Sequence, residues 1–242
     1  MHLNNKILIT GVNSGLGKFL YQQIDSSVGI NRQNVKEKKL NEDYNLIIHC
    51  AFNQKKSLTR EENHYDYLFD NLLLTEKLLT LKYKLFIYIS SIEVYKNDNS
   101  DLSIYFKRFA ESLVVQKAKR FKILRCSMLL GATMRENHIT KIINKKNPIL
   151  SLSKNSEFNY ILMEDILSYI QNIKKNENNE IIDFISSANI KLEKVVNLFS
   201  KKATYGKFTY RTPRKYKNPV FKNYIALNKN SLNNLKNFYD QN

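Results

Sequence analysis

Lys6-Ile7-Leu8-Ile9-Thr10-Gly11-Val12-Asn13-Ser14-Gly15-Leu16-Gly17-Lys18-Phe19-Leu20 is an apolar run that breaks into three glycines and passes directly into a helical pattern. A strand, a glycine turn and a helix in that order form the entrance of a doubly wound sheet, where a helix N-terminus faces the phosphates of a dinucleotide. The three glycines serve different physical ends. One permits a tight exit from the strand, one leaves backbone N–H groups open to a pyrophosphate, and one allows close packing of helix on strand. The first helical N–H groups have no intrahelical partner and carry partial positive charge. Asn13 and Ser14 can hold the turn through local hydrogen bonds. Gly11, Asn13, Ser14, Gly15, Leu16 and Gly17 are therefore the expected phosphate site. The alternative is a plain glycine turn with no ligand.

Working outward, strand-like runs alternate with helical stretches. Val28–Asn31 reads as a second strand, Tyr44–Cys50 as a third, Leu85–Ile89 as a fourth and Lys122–Arg125 as a fifth. Between them, residues 64–81 place Leu68, Phe69, Leu72, Leu73, Leu78 and Leu79 at helical spacing, and residues 104–119 read as another helix. This alternation predicts an α/β fold, a Rossmann-type doubly wound parallel sheet covered on both faces. Beyond residue 128 the alternation loosens and the three prolines appear, at Pro148, Pro213 and Pro219. Residues 128–242 are expected to form a smaller substrate-binding region interleaved with the sheet, with a strand at Ile181–Ile185 and a helix at 191–201. Residues 1–127 form the expected dinucleotide-binding domain, and Lys174–Glu180 an exposed loop. Ligands of such sheets lie beyond the carboxyl ends of the strands. His49–Asn53, Ser90–Tyr95 and Arg125–Gly131 should therefore share one cleft.

The 242 residues suffice for a sizeable core, and 43% of them are hydrophobic. No apolar run is long enough to span a bilayer and no signal-peptide pattern precedes the first strand, so a cytoplasmic location is expected. Cys50 and Cys126, the only cysteines, read as buried free thiols. Net charge is +17, with the lysines spread along the whole chain beside many asparagines. Local clusters occur at Lys141–Lys146 and Arg211–Lys217, but no nucleic-acid module accompanies them, and nucleic acid is not expected as a partner. A diphosphate-bearing small molecule would gain from this field.

In order and spacing these motifs resemble the short-chain dehydrogenase/reductase superfamily, in particular its extended branch of NAD-dependent epimerases, dehydratases and reductases acting on nucleotide sugars. The resemblance rests on Thr10-Gly11-x-x-x-Gly15-x-Gly17, His49-Cys50-Ala51-Phe52, Asn71, and Phe86-Ile87-Tyr88-Ile89-Ser90-Ser91-Ile92-Glu93-Val94-Tyr95. It continues through Lys107 with Glu111, Arg125-Cys126-Ser127-Met128-Leu129-Leu130-Gly131 and Phe158–Asp165. It spans most of the chain, which is short for that branch, and the glycine spacing is that of the superfamily's other main branch.

The resemblance implies a nicotinamide cofactor, a nucleotide-sugar substrate and roles in surface polysaccharide or sugar-nucleotide synthesis. It further implies a homodimer built through two helices of the sheet, one of them carrying Lys107. By the same resemblance Cys50, Ala51, Phe52, Asn71 and Ser127 would meet the cofactor, Ser91 would bind the substrate oxygen, and Lys107 would hold the ribose. Glu93 would act as a base on an acidified carbon. Alternatives stay open for Ser91, Lys107 and Glu93: a strand-end serine bonding backbone, a solvated lysine paired with Glu111, and a glutamate paired with lysine.

The family's tyrosine should stand four residues before Lys107, where this chain has Ser103. Tyr105 is the nearest tyrosine, yet positions two apart on a helix face different ways. Tyr105 serves only if the helix starts late enough to turn it inward; otherwise the chain is a cofactor-binding sensor or scaffold that has lost its proton donor. The second strand ends in Gly29-Ile30-Asn31-Arg32 without the acid that binds ribose hydroxyls, the next acid being Glu37. Arg32 could instead meet a 2′-phosphate, which favours NADP over NAD; the alternative is a surface arginine with no such role. Arg135, His138 and Lys141 are further candidates for a sugar-nucleotide diphosphate. His49 is expected to be structural, with no second histidine placed for a metal pair, and no metal site is expected.

Overall fold

The computed structural model describes residues 6–32, 34–35, 43–53, 61–97, 101–173, 178–213, 216–220 and 229–240. Glu37 lies outside them, as do parts of the expected loop at Lys174–Glu180 and of the basic stretch Arg211–Lys217.

The chain begins with β1 (Ile7–Thr10), α1 (Gly15–Gln23), β2 (Ser27–Ile30) and β3 (Tyr44–His49). A long helical run follows: α2 (Glu61–Leu68), a π-type turn at Phe69–Leu73, and α3 (Leu74–Leu79). Then come β4 (Tyr83–Ser91), a 3-10 turn (Ile92–Tyr95), α4 (Leu102–Lys117) and β5 (Phe121–Cys126). The remaining elements are β6 (Met128–Leu130), α5 (His138–Asn144), β7 (Glu157–Phe158), β8 (Tyr160–Leu162), α6 (Met163–Asn172), β9 (Glu180–Phe184), β10 (Ile190–Lys191), α7 (Leu192–Leu198) and α8 (Ser231–Asp240).

Six strands form one parallel sheet in the order β2-β1-β3-β4-β5-β9. Burial on both faces explains why β1 is wholly apolar up to Thr10 rather than alternating. Ile7 and Ile9 face one layer with Phe19 and Leu20 of α1 and Ile166 and Ile170 of α6. Leu8 faces the other, with Leu74 and Leu78 of α3 and Ala110 and Val114 of α4. Successive strands lie to one side of β1 and then to the other. The order therefore reverses between β1 and β3, and a crevice opens at their carboxyl ends.

The later region has its own core, in which Phe158, Tyr160 and Leu162 pack with Ile139, Val195 and Phe238. Two of its elements return to the first region: α6 covers the sheet and β9 joins it as the edge strand. Among the described residues no helix is long and apolar enough to cross a membrane.

Candidate active site

The glycine turn is built as its residues dictate. Gly11 has φ +75° and lies so close to the segment after β3 that a Cβ would sit 3.0 Å from the Ala51 backbone. Gly15 has φ +60°, and a Cβ there would meet no protein atom within 4 Å. Gly17 packs α1 onto β1, since a Cβ would lie 2.5 Å from the Gly11 carbonyl oxygen. One glycine turns the chain, one leaves room for a ligand and one closes the helix on the strand.

Thr10 fixes this turn to the end of β3. Its Oγ1 accepts the backbone N–H of Cys50 (3.1 Å) and Ala51 (3.0 Å), so its own proton goes to His49 Nδ1, 2.7 Å away. His49 is then left with Nε2–H, which donates to Thr75 Oγ1 at 2.9 Å. Burial, reinforced by the charge on Lys107, lowers His49 to about 3, so this relay stays neutral at physiological pH. His49 is structural, as the sequence implied.

A cavity of about 820 Å³ opens above these strand ends. Gly11, Asn13, Ser14, Gly15, Leu16 and Gly17 line one part of it, and Cys50, Ala51 and Phe52 the wall beside them. Arg32 stands at the β2 end, and Ser91, Glu93, Lys107 and Ser127 lie across β4 and β5. Residues from well-separated segments are thus brought together. Ser127 Oγ is buried without a hydrogen-bond partner among the described residues, an unsatisfied group at the wall of a cavity that could take a polar ligand. Gly15 beyond β1 and Ser127 beyond β5 together fit a dinucleotide lying along the strand ends from β1 to β5.

Ser91 ends β4, and its Oγ caps the 3-10 turn by accepting the Glu93 N–H at 3.2 Å. The Glu93 carboxylate accepts the Tyr210 hydroxyl on one oxygen and pairs with Lys96 through the other. A network fixes the turn itself. Ser90 Oγ donates to Glu111 at 2.5 Å, Arg125 pairs with Glu111 at 2.6 Å and donates to Tyr95 Oη at 2.8 Å, and Tyr95 donates to Asp183 at 2.9 Å.

Glu111 is therefore spent on Arg125, and the alternative reading of a Lys107–Glu111 pair is not realised. A bidentate guanidinium from the neighbouring strand outcompetes a lysine one helical turn away. The Lys107 ammonium instead lies 4.0 Å from the centre of the Phe52 ring, and burial pulls it down to about 8. The thiols of Cys50 and Cys126 are both free and pushed up by burial, so neither is a ready nucleophile.

Two sequence assignments are corrected. Tyr105 is 59% exposed on the outer side of α4 and does not line the cavity, because α4 starts at Leu102 and gives position 105 no chance to rotate inward. Ser103 hydrogen-bonds Asp101, which caps the helix. The tyrosine beneath Lys107 is Tyr88, whose ring centre lies 5.9 Å from Nζ. Its buried hydroxyl has no partner among the described residues, stays protonated and is off the cavity wall. Asn71 does not line the cavity either. Its amide clamps the backbone of Asn53, accepting the N–H at 2.6 Å and donating to the carbonyl at 3.1 Å, so it positions the loop after β3.

The second region contributes groups that no local signal announces. The Thr133 carbonyl accepts the Gly15 N–H at 2.8 Å, and the Thr133 hydroxyl donates to the Gly15 carbonyl at 2.8 Å. Arg135 Nε donates to Ser14 Oγ at 3.0 Å, which puts its guanidinium on the glycine turn. His138 lines the cavity and is held neutral by burial, at about 4, against Tyr160 Oη, while Lys141 is exposed and off the wall. Among the described residues no cluster of three or more potential ligands could hold a metal ion.

No family model and no curated protein matches the sequence. Among solved structures the chain is similar to dTDP-4-dehydrorhamnose reductase from Bacillus anthracis in complex with NADP, at 15% identity over 98% of this chain and 99% of that one, TM-score 0.75. It is also similar to MoeE5 in complex with UDP-glucose and NAD, at 15% identity, 98% and 99% coverage and TM-score 0.74. A third is UDP-glucuronic acid 4-epimerase from Bacillus cereus in complex with UDP-glucuronic acid and NAD, at 19% identity, 97% and 98% coverage and TM-score 0.68. The fold is therefore the Rossmann-type α/β architecture. These similar structures include an epimerase and a reductase and hold NAD or NADP, two of them together with UDP-glucose or UDP-glucuronic acid.

Proposed function

We propose that this chain is an NAD(P)-dependent enzyme acting on a nucleotide sugar, as a reductase, epimerase or dehydratase, in cytoplasmic synthesis of sugar nucleotides or surface polysaccharide. One observation carries the reading: the glycine turn, Ser91, Glu93 and Lys107 line a single cavity at the switch point of the sheet. The ligands of the similar structures support it. Residues 1–127 hold the cofactor in this reading and residues 128–242 shape the sugar site.

When bound, the nicotinamide supplies hydride exchange with a sugar carbon. The Gly15 N–H is taken by Thr133, so the N–H groups that follow it in the first turn of α1 bind the pyrophosphate, which enters the space left open above Gly15, and Arg135 adds a positive charge there. Ser91 hydrogen-bonds the substrate oxygen. Lys107, half protonated near pH 8, holds the ribose and is the cationic proton donor on this wall. Glu93, oriented by Tyr210 and Lys96, is the carboxylate that takes a proton from carbon. Arg32 gives the site a mild preference for NADP over NAD.

Leu102, Tyr105 and Phe109 of α4 and Tyr65 and Leu68 of α2 are exposed large apolar residues, which supports a homodimer built on these helices.

A second reading rests on a specific observation: among the described residues the tyrosine on the cavity wall is Tyr210, whose hydroxyl donates to Glu93, while Tyr88 and Tyr105 lie off the wall. It is a protein that binds the cofactor without turnover. Purified protein with NADPH or NADH and a panel of nucleotide-4-keto-sugars, with absorbance followed for hydride transfer, separates the two. Turnover on one of them is expected; saturable cofactor binding without oxidation on any would favour the second reading.

A further inference from the structure

The end of β2 carries no acid, yet one reaches it from another part of the chain. The π-type turn at Phe69–Leu73 inserts an extra residue into the helical run, and Asp70 and Asn71 are both buried there although an α-helix would turn neighbours about 100° apart. Asn71 clamps the loop after β3. Asp70 faces Arg32, whose guanidinium lies 2.8 Å from Asp70 Oδ2. Asn53 Nδ2 donates to the same oxygen at 3.0 Å. Asp70 Oδ1 has no partner among the described residues. Both charged side chains line the cavity beside Asn31, at the strand end where a dinucleotide in this sheet places its adenosine ribose.

We infer that Asp70 and Arg32 act as an opposed pair that sets the choice between NAD and NADP: Asp70 accepts a ribose hydroxyl and repels a 2′-phosphate, while Arg32 attracts that phosphate. The inference rests on the proposed dinucleotide site. Its physics is local. The Arg32 guanidinium is half exposed and already shared with a carboxylate, so a phosphate must draw it from Asp70 and settle beside a like charge. The carboxylate is held by Asn53 and cannot swing away. The opposition keeps the NADP preference mild, and removing either partner exposes the other. One charge-assisted hydrogen bond corresponds to about tenfold or more in affinity.

Calorimetric titration with NADPH and NADH tests the pair without any sugar substrate. Arg32→Ala should move the NADPH-to-NADH affinity ratio about tenfold towards NADH, and Asp70→Asn about tenfold towards NADPH. Asp70→Glu, which keeps the charge, should stay near the wild-type ratio. An unchanged ratio in Arg32→Ala, or a shift of Asp70→Asn towards NADH, would overturn the inference. Arg32 is half exposed and its variant should fold, so an unchanged ratio there overturns the inference even if Asp70→Asn does not fold. Failure of the wild-type protein to bind either dinucleotide would remove the proposed function itself, a result distinct from binding with an indifferent pair.

Discussion

Replacing Gly15 and Gly17 separately by alanine distinguishes a phosphate site from a glycine turn that is only architecture. At Gly15 the cost to the fold is conformational. An alanine at φ +60° carries the left-handed penalty of about 1 kcal/mol, partly offset by a stiffer unfolded chain, and its Cβ touches no protein atom within 4 Å. A chain of this size should lose roughly 2–4 °C in Tm. At Gly17 the Cβ falls 2.5 Å from the Gly11 carbonyl oxygen and 2.7 Å from that of Thr10, backbone that cannot yield, and overpacking of this kind costs about 3 kcal/mol. The melting point should then fall roughly three times as far. Dinucleotide affinity should show a different profile. The methyl of Gly15→Ala occupies the space where the pyrophosphate approaches, and the loss of one charge-assisted backbone bond weakens binding at least about tenfold. Differential scanning calorimetry gives the stabilities and isothermal titration with NADH the affinities. A Gly15→Ala protein that binds NADH as tightly as wild type would refute the phosphate site.

Four further outcomes follow from the geometry. Lys107→Met should abolish turnover and also change the pH dependence of stability. Lys107 is depressed to about 8 in the fold against 10.5 unfolded, so the unfolded chain holds the extra proton between these values. Wild-type Tm should therefore gain on that of Lys107→Met as pH rises from about 8 to 10.5, and parallel Tm curves would contradict the assigned environment. Arg135→Gln should weaken NADH and NADPH alike by about tenfold with little change in Tm; undiminished affinity would detach Arg135 from the pyrophosphate. Glu111→Ala strands the Arg125 guanidinium and should cost about 3 kcal/mol in urea unfolding, whereas a loss below about 1 kcal/mol would mean that the network does not hold the turn. Phe109→Glu on the exposed face of α4 should drive sedimentation towards monomer, and an unchanged mass would exclude that face as the dimer interface.

Much of this fold is written locally. The glycine turn needs only residues 6–20, and the sheet strands are apolar runs whose burial on both faces matches their composition. The π-type turn is not legible, because the leucines on either side keep a helical rhythm and hide the inserted residue that turns Asp70 inward. Arg135 on Ser14 and Tyr210 on Glu93 join positions 121 and 117 residues apart, and no periodicity encodes such meetings. The Lys107–Glu111 spacing suggested a pair, but Arg125 arrives on β5 with a fork that fits the carboxylate better. The absence of tyrosine at position 103 was legible from the start. The structure adds that Tyr105 does not replace it and that the second region brings Tyr210 to the same cavity.

The crevice that opens between β1 and β3 is the proposed dinucleotide site. Titration of the wild-type chain with NADH and NADPH by calorimetry tests it most directly, since it needs neither the sugar nor a catalytic proton. Saturable binding of one dinucleotide per chain, weakened in Gly15→Ala, is the predicted result. The absence of binding heat for both, from protein that melts cooperatively, would contradict it and leave the glycine turn as architecture alone.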